Sequence, residues 1–275
     1  MESREAARGY RPRHGEGGFE FDPETYGALR HLPKQWRVHP TLDPYEVAFR
    51  EARDSAEHPE TVPVAVLFDV TGSMRHVPAE LRARLPRLLA ALRAHVPHAV
   101  VLFGAIGDAT CDRAPLQVGQ FAADDRRADQ DLGLIMLEGG GGGQLSESYE
   151  LALYFLARHT ALDCHERHGK RGIAFLIGDE LPYPLVKGHE VAAVFGEALV
   201  KDIRLDHILR EAGDLWDVHF VVPDGAKYAG DREVTGFWRE LLGDRVLELE
   251  DVRGICDLIV RTVADRVMCA DAASC

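Results

Sequence analysis

Asp69, Thr71 and Ser73 stand at alternate positions in Asp69-Val70-Thr71-Gly72-Ser73-Met74 and supply one carboxylate and two hydroxyls within five residues. All three are hard oxygen donors suited to Mg²⁺, and they are too few to fill its shell without water or another molecule's oxygen. An incomplete shell of that kind suits a metal-dependent recognition site. Gly72 lets the turn close between the two hydroxyls. The donors follow a short apolar run, Val64-Ala65-Val66-Leu67-Phe68, which reads as a strand buried on both faces of a parallel sheet. Open α/β sheets place their sites at the C-terminal ends of such strands. The plainer reading is a strand whose Asp and Ser cap the next helix.

Two later segments bear on the choice. Ile173-Ala174-Phe175-Leu176-Ile177-Gly178-Asp179-Glu180 is again an apolar run ending in an acid. Two parallel strands that both end in Asp bring two carboxylates to one sheet edge, where they repel unless a cation intervenes. Side chains alternate along a strand, so Asp179 and not Glu180 is expected to reach that edge. Between the two runs lies Glu138, then five glycines at 139–143, then Gln144-Leu145-Ser146-Glu147. Five glycines lose too much backbone freedom to sit inside an element, so they form a loop whose backbone can approach another group closely. Leu145, Tyr149, Ala152, Leu153 and Leu156 then recur at helical spacing. Gln144, Ser146 and Glu147 are the oxygens this loop offers, and a hinge with a helix cap at Ser146 is the plainer account.

In this order the three segments resemble the metal-ion-dependent adhesion site of the von Willebrand factor A (VWA) family, whose first motif is Asp-x-Ser/Thr-x-Ser. The likeness covers roughly residues 60–267. It implies Asp69, Thr71 and Ser73 as metal ligands and Asp179 acting directly or through water. Gln144 or Glu147 would complete the protein's share, because the Thr that many members carry in the second loop is missing here. The third loop reads Gly178-Asp179-Glu180 where members often have Thr-Asp-Gly. The implied cofactor is Mg²⁺, with Mn²⁺ or Ca²⁺ as alternatives, and the implied partner is a protein that places an Asp or Glu carboxylate on the ion. The resemblance implies a binding module and not an enzyme. Intracellular bacterial members often work beside AAA+ ATPases of the MoxR type, so an adaptor or chaperone role with such an ATPase or its substrate is the expectation.

An enzyme reading competes. Asp69-Val70-Thr71-Gly72-Ser73 also looks like the nucleophile motif of haloacid-dehalogenase-type phosphotransferases, in which the Asp attacks phosphorus beside Mg²⁺. Gly178-Asp179-Glu180 would be the distal metal motif and Lys170 the phosphate-binding lysine. Against this, Val70 stands where the pumps of that class have Lys, and Pro182-Tyr183 offers no second distal acid. The glycine loop also has no part in that chemistry.

Positioning these groups requires an alternating α/β chain. Strands are expected near 63–69, 98–106, 116–121, 172–178, 216–222 and 245–249, with helices near 77–95, 125–137, 145–163, 189–212, 232–242 and 251–267. That series predicts a doubly wound, mostly parallel sheet of Rossmann-like type, with one short antiparallel edge strand and helices on both faces. Residues 61–268 would form this domain and 269–275 a tail. Residues 1–60 would be a partly disordered extension that docks on it, with a helix at about 43–56. Asp108, after the strand at 98–106, reads as a turn residue near the same edge.

Composition narrows the function classes. An apolar share of 46% is ample for a core without disulfides. A net charge of −13 argues against nucleic-acid binding, which needs a basic face. No stretch approaches the roughly 20 apolar residues of a membrane span, and no signal-type apolar region follows Met1. The five cysteines are scattered, in keeping with reduced thiols in the cytoplasm, and the richness in Asp, Arg, Ala and His suggests a high-GC bacterial source. Cys164-His165-x-x-His168 has no second cluster to complete a zinc site and reads as a polar helix end.

Overall fold

The computed structural model describes residues 38–140 and 145–273, with side chains to Met268. The first residues of the expected extension and Gln144 lie outside the described residues. The described residues belong to one compact unit. In chain order the described strands are β1 (Arg50–Ala52), β2 (Val62–Asp69), β3 (Ala99–Ile106), β4 (Leu116–Val118), β5 (Ser146–Glu147), β6 (Thr160–Leu162), β7 (Gly172–Ile177), β8 (Leu181–Pro182), β9 (Leu185–Val186), β10 (Ile203–Arg204), β11 (Trp216–Pro223) and β12 (Val246–Leu249).

The main sheet has six strands in the order β12-β11-β7-β2-β3-β4. All its pairs are parallel except β3–β4, so the edge strand β4 is antiparallel, as expected from the sequence. Past Val62 the central strands are buried along their length because both faces are covered. Successive side chains of β2 go to opposite sides: Val64, Val66 and Phe68 join one apolar cluster, Ala65 and Leu67 the other. The first cluster takes residues from the helices Val77–Arg84, Leu88–Arg93, Asp125–Leu134 and Ile255–Ala273. The second takes residues from Tyr149–Arg158, Gly188–Phe195, Leu205–Leu215 and Arg232–Leu242. The protein is thus a mixed α/β structure with helices against both faces of a mostly parallel sheet. Among the described residues no helix is long and apolar enough to cross a membrane.

Several element boundaries differ from the sequence expectation. The helix expected over 77–95 is interrupted by a 3₁₀ turn at Leu85–Arg87, where Pro86 cannot donate to the ladder. The stretch 189–212 holds two helices, the first stopped by Gly196 in the left-handed region at φ 76°. The helix expected over 145–163 is confined to Tyr149–Arg158, with β5 before it and β6 after. No helix forms at 43–56. Turns and β1 occupy that stretch instead, and β1 pairs in parallel with β6. Val38 and Leu42 enter the first apolar cluster, so this part of the amino-terminal region is built into the compact unit.

β2 and β7 are neighbours, with Phe68 opposite Ile177. Asp69 and the Gly178-Asp179-Glu180 bend therefore emerge side by side from the centre of the sheet.

Candidate metal centre

The turn after β2 is organised by Asp69 itself. Its Oδ1 accepts hydrogen bonds from the Thr71 amide at 2.8 Å and the Thr71 hydroxyl at 2.7 Å, the side-chain-to-backbone pattern that Asp commonly sets up in turns. A 3₁₀ turn follows at Gly72–Met74, and Arg75 closes it with φ at 54°. Arg75 is a non-glycine residue in the left-handed region, a placement held only by surrounding structure. The Ser73 hydroxyl donates to Asp179 Oδ1 at 2.8 Å and to Glu180 Oε2 at 3.1 Å. Asp179 Oδ2 in turn accepts from the Tyr228 amide at 2.8 Å, and the Lys227 amide donates to the Ser73 carbonyl at 2.9 Å. The loop after β11 thus backs the site with two amides.

The donor set fits a hard divalent cation. Asp69, Asp179 and Glu180 each offer a carboxylate oxygen, and these oxygens lie within 4.8 Å of one another. Thr71 Oγ1 and Ser73 Oγ are 3.3 Å apart. Each hydroxyl has one proton, and each proton is directed at a carboxylate, so lone pairs of both oxygens remain for a further partner. Oxygens around Mg²⁺ in an octahedron at 2.0–2.1 Å stand about 2.9 Å apart along an edge. The 2.7–3.3 Å separations linking Asp69, Thr71, Ser73, Asp179 and Glu180 are of that size.

Strand alternation along the sequence would turn Glu180 away from this edge. β7 ends at Ile177, so Asp179 and Glu180 lie in a bend where alternation does not hold. Both carboxylates face Ser73. The Glu180 carbonyl is pinned by the Trp238 indole N–H at 3.0 Å.

Glu147 lies at the end of β5, which runs parallel to β8 and sets Glu147 opposite Pro182. It is buried, its Oε2 has no hydrogen-bond partner, and it stands next to Glu180 and within electrostatic reach of Asp69. It is not one of the three carboxylates grouped around the hydroxyls. The glycine loop approaches closely, as its composition suggested. The Gly72 amide donates to the Gly140 carbonyl, and the Gly139 amide to Val70. A Cβ on Gly72 would lie 2.8 Å from the Gly140 oxygen, so a side chain there is excluded. Glu138 ties the near end of this loop down by accepting from the Arg113 and Ala114 amides.

Tyr149 was legible in the sequence only as part of a helical apolar stripe. Its hydroxyl donates to Asp69 Oδ2 at 2.7 Å from a fully buried position. The one trace of this role in the sequence is Gly178: a Cβ there would fall 1.9 Å from the Tyr149 hydroxyl oxygen.

Burial governs the electrostatics. Desolvation pushes the Asp69 carboxyl up to about 7, with the Asp179 charge adding to the rise, while hydrogen bonds from Thr71 and Tyr149 oppose it. Glu147 is pushed well up, first by burial, then by the Asp69 charge and by the hydrogen bond and charge of Glu180. Asp179 and Glu180 are also raised, mainly by burial. Arg75 and Lys227 offer partial compensation to Asp179 and Glu180 respectively. So many carboxyls cannot all ionise in so small a buried space without a cation.

Other candidates lie elsewhere or are already satisfied. Asp108 holds a turn by accepting from the Thr110 amide and hydroxyl, and its charge reaches Glu147. Lys170 precedes β7 and pairs with Glu60 at 3.4 Å, at the opposite end of the strand from Asp179. His168 pairs with Asp54 at 3.1 Å, and Cys164 is a buried free thiol.

No protein-family model and no curated protein sequence matches the chain. Solved structures with a TM-score above 0.5 share its fold at low identity. One is the pilus adhesin SpaC of Lactobacillus rhamnosus GG in its open conformation, 10% identical with a TM-score of 0.53, covering 74% of this chain and 30% of the adhesin. A second structure of that adhesin gives 0.51 at 10% identity, covering 74% and 31%. A mussel byssus protein, proximal thread matrix protein 1, gives 0.45 at 11% identity, covering 75% of this chain and 48% of that one. The chain therefore spans less than a third of the adhesin's length.

Proposed function

We propose that this chain is a metal-dependent protein-interaction module of the VWA type, built on a doubly wound, Rossmann-like sheet. The observation that carries the proposal is the joint delivery of Asp69, Thr71, Ser73 and Asp179 to one edge of the sheet centre, with the two hydroxyl oxygens 3.3 Å apart. The site lies between β2 and β7, where the strand order runs outward in both directions. In open α/β sheets the crevice for ligands falls at such a point.

Each residue has a distinct part. Thr71 and Ser73 present neutral oxygens, Asp69 and Asp179 present charge, and Tyr149 and the Tyr228 amide hold the two carboxylates in orientation. Glu147 adds a further buried acid behind them. A bound divalent cation would supply a positive centre to which a partner's Asp or Glu carboxylate can attach. Charge-assisted contacts of this kind give specificity in a partly desolvated interface. Mg²⁺ is the proposed ion, with Mn²⁺ or Ca²⁺ as alternatives. The proposed setting is cytoplasmic, as an adaptor or chaperone partner in a bacterial multiprotein system, with a MoxR-type AAA+ ATPase or its substrate as the partner. The likeness to the pilus adhesin is one of fold and brings no partner to this chain.

The phosphotransferase alternative finds less support. Lys170 is at the wrong end of β7.

Titration calorimetry of Mg²⁺ and Mn²⁺ into chelator-treated protein tests the proposal. Saturable binding by the wild type is expected, with loss in an Asp69→Ala, Asp179→Ala double variant. Binding that survives in the double variant, or no binding by the wild type, contradicts it.

A further inference from the structure

The candidate site holds a further carboxylate beside Asp69 and Asp179. Glu180 Oε2 is 3.1 Å from Ser73 Oγ, on the same hydroxyl that Asp179 Oδ1 engages at 2.8 Å. Glu180 is buried and belongs to the same three-carboxylate group as Asp69 and Asp179. Behind it, the buried Glu147 Oε2 has no hydrogen-bond partner. With Asp69, Asp179 and Glu180 ionised, the chain brings three negative charges to a divalent cation. A fourth carboxylate from a partner would enter against a net negative charge in a poorly solvated space.

Resting on the metal reading above, we propose that Glu180 is an internal stand-in for the partner's carboxylate. It completes the site from within, and an external acid gains access only when the Glu180 side chain swings away. The means for such a swing are present. The Glu180 backbone is anchored through its carbonyl to the Trp238 indole, while its carboxyl shares the Ser73 hydroxyl proton with Asp179 and meets the Glu147 carboxyl. The side chain can therefore leave without dismantling the bend. Two consequences follow: the ion is bound without any partner, and external carboxylates compete poorly until Glu180 is displaced. The preferred partner would then be one whose own cationic residues draw Glu180 out as its acid goes in, so a mixed acidic and basic segment fits better than a purely acidic one.

The test uses the full chain with Mn²⁺ as the metal probe and acetate as the carboxylate probe. Mn²⁺ affinity is measured by calorimetry for wild type, Glu180→Gln and Asp69→Asn, with and without acetate, and circular dichroism checks folding. Wild type should bind Mn²⁺ with an affinity indifferent to acetate. Glu180→Gln, nearly the same size, should bind at least tenfold more weakly and regain affinity as acetate is added. Asp69→Asn should lose binding in either condition. Glu180→Gln binding as tightly as wild type, or acetate strengthening the wild type as much as the variant, overturns the inference and leaves the metal site standing. Absence of Mn²⁺ binding in the wild type removes both. Should Glu180→Gln prove unfolded, Glu180→Asp, which draws the carboxylate back by one methylene, must show the same acetate rescue or the inference fails.

Discussion

The chemistry of the site turns on a few buried carboxyls, and Asp69 illustrates the balance. Its raised value means that the metal-free folded state holds a proton that the unfolded chain releases near the ordinary value of 3.8. Folding stability from this group is therefore complete below about 4 and is lost as pH rises toward about 7. His219 works in the other direction, because burial lowers its value to about 4 and its stability contribution grows as pH rises above that. The Asp69 contribution should thus be read as a difference. In chelator, urea midpoints of wild type relative to Asp69→Asn should fall between pH 5 and pH 7.5, and saturating Mg²⁺ should cancel the fall by displacing the proton. An unchanged difference across that interval would refute the assignment. Tyr149→Phe should cost about 1–3 kcal/mol in the same assay, because it strips Asp69 Oδ2 of its donor. At this scale the sequence was informative about Asp69, Thr71, Ser73 and Asp179, whose types and spacing announce oxygen donors. It was uninformative about Tyr149 and misleading about Glu180. Tyr149 acts through a contact 80 positions away in the chain. Strand alternation misplaces Glu180 because β7 ends at Ile177, three positions before it.

Elements position these residues mainly through strand ends and close backbone approaches. The strands were legible because burial on both faces demands near-continuous apolar runs, as in Ala99–Ile106 and Gly172–Ile177. Helix limits were less so. The 3₁₀ turn at Pro86 and the stop at Gly196 carry local signals, whereas the early end of the helix at Arg158 depends on β6 pairing with β1, a long-range event. Gly178 marks where a strand end must pass over Tyr149. Gly178→Ala should destabilise by about 1–3 kcal/mol or more, since the new methyl would overlap the Tyr149 hydroxyl. Combining it with Tyr149→Phe should recover part of the loss, because the hydroxyl is the nearest atom but the ring carbon at 2.7 Å remains. Full additivity of the two changes in urea melts would show that this contact is not the cause. Gly72→Ala should weaken metal binding by pushing the glycine loop off the first turn.

For the whole molecule, the part of the amino-terminal region that is described belongs to the core. Leu42 is fully buried in the first apolar cluster, its carbonyl accepts from the Val118 amide of β4, and β1 adds a strand beside β6. Leu42→Ala should therefore cost about 2–5 kcal/mol, as judged by chemical denaturation, where a loosely docked arm would give almost nothing. The sequence suggested docking here from its apolar content but assigned a helix, because the β1–β6 pairing has no local signature. The net charge of −13 and the cluster of buried acids both favour cations as ligands, and the sheet centre gathers the donors that could bind one. The most direct test of that central claim is an anomalous difference map from crystals of the full chain soaked in Mn²⁺. A single strong peak is expected at bonding distance from Thr71 Oγ1 and Ser73 Oγ, beside Asp69 and Asp179. Mn²⁺ bound elsewhere, with no peak between those two hydroxyls, would contradict the claim.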